Sequence, residues 1–414
     1  MTKPLYELGE TPPLGVVPAQ MYATVIRRER FGEPAKAMLT EVVDVPRPGR
    51  GEVLVYTMAA GINYNNVWAS LGTPLDVISM RQKTLGATEA FHIGGSDGAG
   101  VVWAVGPDVR DVKPGDHVIT SGGQWDETAP DVRLGVDPMF AKSLTAWGYE
   151  SNYGSFAQYA LVQEHQCHPK PANLSWEDAG SMLVTGATAY RQLTSWAPHD
   201  VRPGDVVLIW GGSGGLGSAA IQIVKNRGGI PIAVVSSEER GRWCLELGAK
   251  GVINRNEFHH WGRLPDIDDV PAVEAWNAEA RRFGKKIWEI LGERRSPRIV
   301  LEHPGEDTLP TSMMVCDTGG MVVICGGTSG YNGDIDLRYL WMRSKRLQGS
   351  HGSNDRENRE VIQLMADGRL SSCVTWCGTF DQIGEAHQML HENRHPMGNM
   401  AALVNAVSPG LTTL

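Results

Sequence analysis

The sequence predicts an α/β protein in which a parallel, doubly wound domain is inserted into a split, β-rich domain. Three observations predict it. Residues 20–170 carry short runs rich in β-branched residues, bounded by Gly, Pro and Asp. From about residue 200, strand-like and helix-like segments alternate, the pattern of a parallel sheet. After about 345 the chain mixes helix with short strand, as expected if it returns to complete the first domain. A chain of 414 residues is too long for one ordinary core. The expected division is residues 1–195 and 346–414 for the split β-rich domain and 196–345 for the doubly wound one.

The first domain's strands are expected in YATVIRR, GEVLVYTMAAGI, GAGVVWAVG and GDHVITSGG. In the second, DVVLIW is a buried strand leading through a glycine loop to the helical AAIQIVKNRGG. Then follow the strand PIAVVSS, the helical ERGRWCLELGA and the strand GVINR. RIVLEHPG and GGMVVICGGT continue the sheet, with a charged helical insertion before them over about 257–293. In the returning part, ENREVIQLMADGRL reads as helix and NMAALVNAV as strand.

Composition narrows the function. Hydrophobic residues are 42% and charged residues 21%, as in soluble globular proteins. The net charge of −9, with no long Lys or Arg run, argues against a nucleic-acid partner. No apolar run reaches the roughly 18–20 residues that span a bilayer, and MTKPLYELGE has no apolar signal core. The expected location is the cytoplasm, without membrane association. Of six cysteines only Cys373 and Cys377 lie close together, and no second pair completes a zinc site, so reduced thiols and no bound metal are expected.

Gly212, Ser213, Gly214, Gly215, Leu216 and Gly217 form a G-x-G-x-x-G loop between strand and helix, which in this setting marks a Rossmann dinucleotide site. The first glycine allows the tight turn, the second lets backbone approach a pyrophosphate, and the third lets helix pack on strand. The phosphates then sit at the helix N-terminus. The second strand ends in Ser236 and Ser237, with Arg240 one turn on. Hydroxyls and a guanidinium suit a 2′-phosphate, so NADPH is the expected cofactor. Glu238 and Glu239 are expected to point outward.

A β-rich domain split around such a nucleotide domain resembles the medium-chain dehydrogenase/reductase superfamily, whose catalytic domain is GroES-like. Where its zinc alcohol dehydrogenases place a cysteine and a histidine, GINYNN and GGSDGAG put Asn63 and Ser96, poor zinc ligands. The motifs NYNNVW, WGYE, LIWGGSGGLGS, WGRLP, LEHPGE, RYLWM, KRLQGSH and PMGNMAALV narrow the match. Through them nearly the whole chain resembles the crotonyl-CoA carboxylase/reductase family.

The resemblance implies NADPH-dependent reduction of a 2-enoyl-CoA with CO2 added at the α carbon, giving an alkylmalonyl-CoA. Hydride at the β carbon leaves an enolate that takes a proton unless CO2 is already beside it. An amide donates a hydrogen bond to CO2 without being a useful acid, and a carboxylate with a histidine can fix a water that holds the other oxygen. The family pattern carries these roles onto Asn63 or Asn65, Tyr149, Glu150 and His351. Read as strand, positions 63 and 65 would share a face and both would line the site.

Thr188 and Cys325 match positions beside the nicotinamide, and Arg338 and Tyr339 are the first candidates for the CoA tail. Further cations for its phosphates are Arg343, Lys345 and Arg346, with Arg281, Arg282, Lys285 and Lys286 on the insertion. Ala146 and Gly352 are smaller than the residues often found there, which suggests room for an acyl chain longer than crotonyl. The alternatives are a non-carboxylating 2-enoyl-CoA reductase and an NADPH-binding protein without turnover. A homodimer or homotetramer is expected from the family.

Overall fold

A computed structural model describes residues 3–414 and divides them into two units. The first runs to Ala187 and resumes over Ser353–Gly368 and Ser372–Leu414; the second is Thr188–Gly352 with Arg369–Ser371. Both junctions differ from the expected 195 and 345. The helix Thr188–Thr194 belongs to the second unit because Gln192 donates to the carbonyls of Glu302 and Val323, at 3.5 and 3.2 Å.

In chain order the first unit contributes β1 (Gln20–Ile26), β2 (Leu39–Asp44), β3 (Glu52–Gly61), β4 (His92–Ile93) and β5 (Gly98–Val105). It continues with β6 (His117–Thr120), β7 (Gly123–Gln124), β8 (Thr145–Ala146), β9 (Tyr159–Gln163) and β10 (Cys167–Pro169). The second unit holds β11 (Val206–Trp210), β12 (Ile230–Val235), β13 (Gly251–Asn254), β14 (Ile299–Glu302), β15 (Met321–Ile324) and β16 (Arg346–Gly349). The chain then returns to the first unit with β17 (Val374–Gly378) and β18 (Asn399–Leu403).

In the first unit β3 is the organising strand. It pairs antiparallel with β5, β9 and β18 inside the sheet β10-β6-β5-β3-β18-β17. Nine of its ten residues are buried, so its side chains face protein on both sides. Two smaller sheets, β2-β1-β4 and β7-β8, complete the unit. Val53, Val55, Val102, Val118, Val162 and Trp147 form one buried cluster.

The second unit is an all-parallel sheet in the order β13-β12-β11-β14-β15-β16, the doubly wound arrangement. β11 is buried along its whole length, as a parallel strand covered on both faces must be. The insertion forms the long helix Val270–Leu291, which buries Phe283 and Ile287 against the sheet. Phe283 stacks on Trp210 with centroids 5.6 Å apart. Among the described residues no helix is long and apolar enough to cross a membrane.

Glu302, at the end of β14, has no exposed surface. Its carboxyl accepts from Ser312 (2.5 Å), Thr308 (2.6 Å) and the Gly305 N–H (3.2 Å), and the Trp210 indole holds Ser312 at 2.7 Å. Burial outweighs these donors and pushes the carboxyl up to about 7. A carboxyl raised on folding favours the protonated native state, so its contribution is full below the unfolded pKa and is lost as pH rises towards 7. Glu302→Gln should remove that slope. Thermal melts at pH 5 and 7 should differ by a few degrees less than in the parent.

Candidate active site

The first-unit site starts where β3 ends. A Cβ on Gly61 would lie 2.9 Å from both the Asp97 side chain and the Ser181 backbone, so glycine lets three segments meet. Asp97, just before β5, is fully buried. Its two carboxylate oxygens accept the Leu183 and Val184 N–H groups at 3.1 Å each, at the start of the widened helical turn Leu183–Ala187. The Asn63 amide nitrogen stands 3.5 Å from the second oxygen. Burial pushes this carboxyl up to about 8, against the pull of those donors.

Asn63 and Asn65 do not lie on a strand. Asn63 is the extended N-cap residue (φ −133°, ψ 151°) of the helix Tyr64–Leu71, and Asn65 sits in that helix's first turn. The expectation of a shared strand face is therefore corrected: 3.6-residue spacing turns the two side chains apart. The signal was present, since Asn is a preferred N-cap and Gly72 ends the helix in the left-handed region at φ +68°. The turn faces Asn63 towards Asp97 and Asn65 towards Ser96.

The Asn65 amide is held at both ends. Its nitrogen donates to the Ser96 hydroxyl at 2.8 Å, and its oxygen accepts from the Asn66 amide at 3.2 Å. The Asn66 oxygen in turn accepts the Gly95 N–H at 3.2 Å. Asn66 is fully buried, Ser96 nearly so, and Asn65 half-buried.

The loop after β8 is fixed against the same residues. Trp147 is fully buried, with its N–H on the Gly122 carbonyl (2.7 Å) and its indole on that of Leu161 (2.9 Å). Gly148 adopts φ +65°, and a Cβ there would overlap the Gly95 carbonyl. One Glu150 carboxylate oxygen accepts the Ala146 N–H at 2.7 Å, while the Ala146 carbonyl accepts the N–H groups of Tyr149, Glu150 and Ser151. Glu150 thus braces its own loop with one oxygen, leaving the other for a ligand or water. Tyr149 is half-buried beside it.

In the second unit Gly212 packs so closely that a Cβ would lie 2.6 Å from that of Ala233, and one on Gly217 would overlap the Gly211 carbonyl. A Cβ on Gly214 would meet nothing nearer than 3.6 Å. The first and third glycines are demanded by the protein itself, whereas the second leaves space, which fits a pyrophosphate at the N-terminus of the helix Gly215–Asn226. Leu216 opens that helix half-buried. Arg240 donates to the Ser213 hydroxyl at 3.1 Å, which holds its guanidinium over the loop. The Ser237 hydroxyl caps the helix Glu238–Leu247, Ser236 is half-buried, and Glu238 and Glu239 are exposed.

Thr188 is buried at the start of its helix and Cys325 is half-buried just after β15. His351 is exposed beyond β16, and Gly352 takes φ +52°, a conformation that favours glycine whatever the ligand. The candidate CoA cations are more committed than expected. Arg338 grips Asp336 through two bonds of 2.9 and 2.7 Å, and the Tyr339 hydroxyl stands 3.5 Å from Asn277. Lys345 is buried on the Met313 and Met314 carbonyls, and Arg346 bonds the Trp196 and Ala197 carbonyls. Arg343, Arg281 and Lys285 are exposed. Asp97, Asn66 and Ser96 were not singled out from sequence as working groups.

Residues 49–172 match the alcohol dehydrogenase GroES-like domain and residues 215–367 the zinc-binding dehydrogenase family. Among the described residues no group of three or more His, Cys, Asp or Glu is placed to hold a metal ion. The chain is 48% identical to a crotonyl-CoA carboxylase/reductase of Cereibacter sphaeroides, over 99% of this chain and 94% of that one. It is similar to the structure of the crotonyl-CoA carboxylase/reductase AntE in complex with NADP (62% identity, 98% and 100% coverage, TM-score 0.95). It is also similar to the 2-octenoyl-CoA carboxylase reductase CinF in complex with NADP and 2-octenoyl-CoA (36% identity, 96% and 91% coverage, TM-score 0.88).

The packing of Gly148 makes a direct prediction. Gly148→Ala introduces both a strained φ and a backbone overlap, and should lower the melting temperature by several degrees while displacing Glu150. Calorimetry combined with turnover would check it; an unchanged melt would mean the loop yields easily.

Proposed function

We propose, for a chain that belongs to the crotonyl-CoA carboxylase/reductase family, that Asn65 is the amide that meets carbon dioxide and that Glu150 serves it through a water. The chain catalyses NADPH-dependent reductive carboxylation of a 2-enoyl-CoA to an alkylmalonyl-CoA. NADPH, when bound, supplies the hydride that reaches the β carbon. The electron pair of the double bond moves to the α carbon and thioester oxygen, and the α carbon then bonds to the carbon of CO2, so no proton is required there.

What the site must do is hold CO2 and withhold protons. The observation that carries the assignment is the Asn65 amide, tied at one N–H and at its carbonyl, with a second N–H that no described residue takes. An amide N–H is a donor that does not ionise at working pH. The nearby acid, Asp97, is fully buried and turned onto backbone N–H groups, out of reach of a substrate. The free Glu150 oxygen can accept from a water that donates to CO2. For Tyr149 and His351 the support is the family pattern alone, as it is for a homodimer or homotetramer and a cytoplasmic location.

Ala146 is half-buried in the Glu150 loop, and a longer side chain there would extend from a site whose backbone is already fixed. We therefore propose an acyl preference beyond crotonyl, set in part by Ala146. Ala146→Ile should shift the ratio of kcat/KM for trans-2-octenoyl-CoA over crotonyl-CoA downward by about tenfold, the effect of one or two buried methylenes. No shift would remove Ala146 from the specificity account.

The cofactor assignment has its own check. Arg240→Ala should weaken NADPH binding by about 10–100-fold, as expected for a lost charge-assisted hydrogen bond, and leave NADH nearly unchanged. Equal loss for both would place the guanidinium away from the 2′-phosphate. The function itself is tested by product masses with crotonyl-CoA, with and without bicarbonate plus carbonic anhydrase. Alkylmalonyl-CoA as main product is expected, whereas saturated acyl-CoA alone at high CO2 would leave a plain reductase.

A further inference from the structure

We infer that Asn66 and Ser96 orient the Asn65 amide and so set how much of the enolate ends as carboxylated product; this rests on the assignment of Asn65 to carbon dioxide. The two ends of a primary amide have nearly the same shape, and only their partners decide which way it points. Here the choice is made by a group that cannot reverse. The Gly95 backbone N–H only donates, so the Asn66 atom 3.2 Å away must be the oxygen.

That leaves the Asn66 nitrogen facing Asn65, and a nitrogen that only donates must meet the Asn65 oxygen, at 3.2 Å. The Asn65 nitrogen is thereby turned to Ser96, 2.8 Å from a hydroxyl that can accept. A hydroxyl gives and takes equally, so Ser96 steadies the orientation without selecting it. The selection comes from Gly95 through Asn66.

Sterics hold the chain in place. A Cβ on Gly94 would overlap the Asn66 oxygen, so Gly94 makes the room that Asn66 occupies. Asn66 has no exposed surface and Ser96 has 4%, so water does not compete for these bonds. A reversed Asn65 would present a lone pair where it now presents its second N–H. A lone pair repels a CO2 oxygen, and the enolate would wait longer and take a proton from water more often.

Asn66→Asp tests this. The variant keeps an acceptor for Gly95 and replaces the donor facing Asn65 by an oxygen of the same size, which calls the Asn65 nitrogen towards it. With the full-length enzyme, NADPH, crotonyl-CoA and a fixed sub-saturating CO2 concentration, the readout is the ratio of ethylmalonyl-CoA to butyryl-CoA by mass. That ratio should fall about tenfold, the discrimination supplied by one hydrogen bond, and the apparent KM for CO2 should rise. Ser96→Ala, neutral and smaller, should move the ratio the same way by a lesser factor, and carries the test if Asn66→Asp does not fold.

In an Asn65→Ala background neither substitution should lower the ratio further, which a merely structural role would not produce. A parental ratio in a folded variant overturns the inference, as does an equal further fall in the Asn65→Ala background. If Asn65→Ala itself leaves the ratio unaltered, the assignment of Asn65 has failed and the orienting role falls with it.

Discussion

The buried Asp97 carboxyl is the constraint on which the first-unit site depends. It ties the start of β5 to the first N–H groups of the turn Leu183–Ala187 and stands against Asn63 at the end of β3. Backbone donors at a widened helical turn have no helical partner, and left unpaired in the interior each would cost about 1–3 kcal/mol. A carboxylate satisfies two of them at once. The same burial makes its ionisation costly, which is why the group is held near 8 even with donors on both oxygens. Gly61 is the sequence's concession to this junction, since any side chain there would force the three segments apart.

Given that junction, the two asparagines take different work. Asn63 sits before the helix and is nearly closed off, its nitrogen directed at Asp97. Asn65, in the helix's first turn, is carried to the Ser96 side and stays half-exposed. The Glu150 loop is locked to the same edge through the contact of Gly148 with Gly95. Gly95 therefore serves twice, its N–H fixing Asn66 and its carbonyl packing against Gly148. Through one residue the Asn65 amide and the loop that carries the Glu150 carboxylate share a reference frame.

Much of the second unit was legible in advance. Its strands are continuous apolar runs, the helices between them have their own period, and the glycine loop falls where strand passes to helix, so local signals agreed. Asn63 and Asn65 were misplaced because a strand ending in GINYN reads on as strand unless Asn63 is recognised as an N-cap. The Asn66–Asn65–Ser96 chain was beyond reach for another reason. It joins residues about thirty positions apart through hydrogen bonds whose direction depends on a backbone group, and no spacing rule records that. Lys345 and Arg346 show a further limit, because a run of cations does not record that two of them bond backbone carbonyls of the protein itself while Arg343 stays exposed.

The electrostatic character of the site follows from what the fold does with its acids. Asp97 has no exposed surface and both of its oxygens face backbone N–H groups, so its burial keeps it from a substrate. Glu150 is anchored by one oxygen to its own loop. Around Asn65 the groups on hand are amides and a hydroxyl, none of which is an acid near neutral pH. An enolate formed beside them meets few proton sources fixed to the protein, and what competes with CO2 for it is a proton from water. On the function proposed here, carboxylation then depends less on a strong catalyst at the α carbon than on one weak donor held in one direction. A weak donor is adequate because CO2 is itself electrophilic, and direction matters because the same amide reversed would repel it.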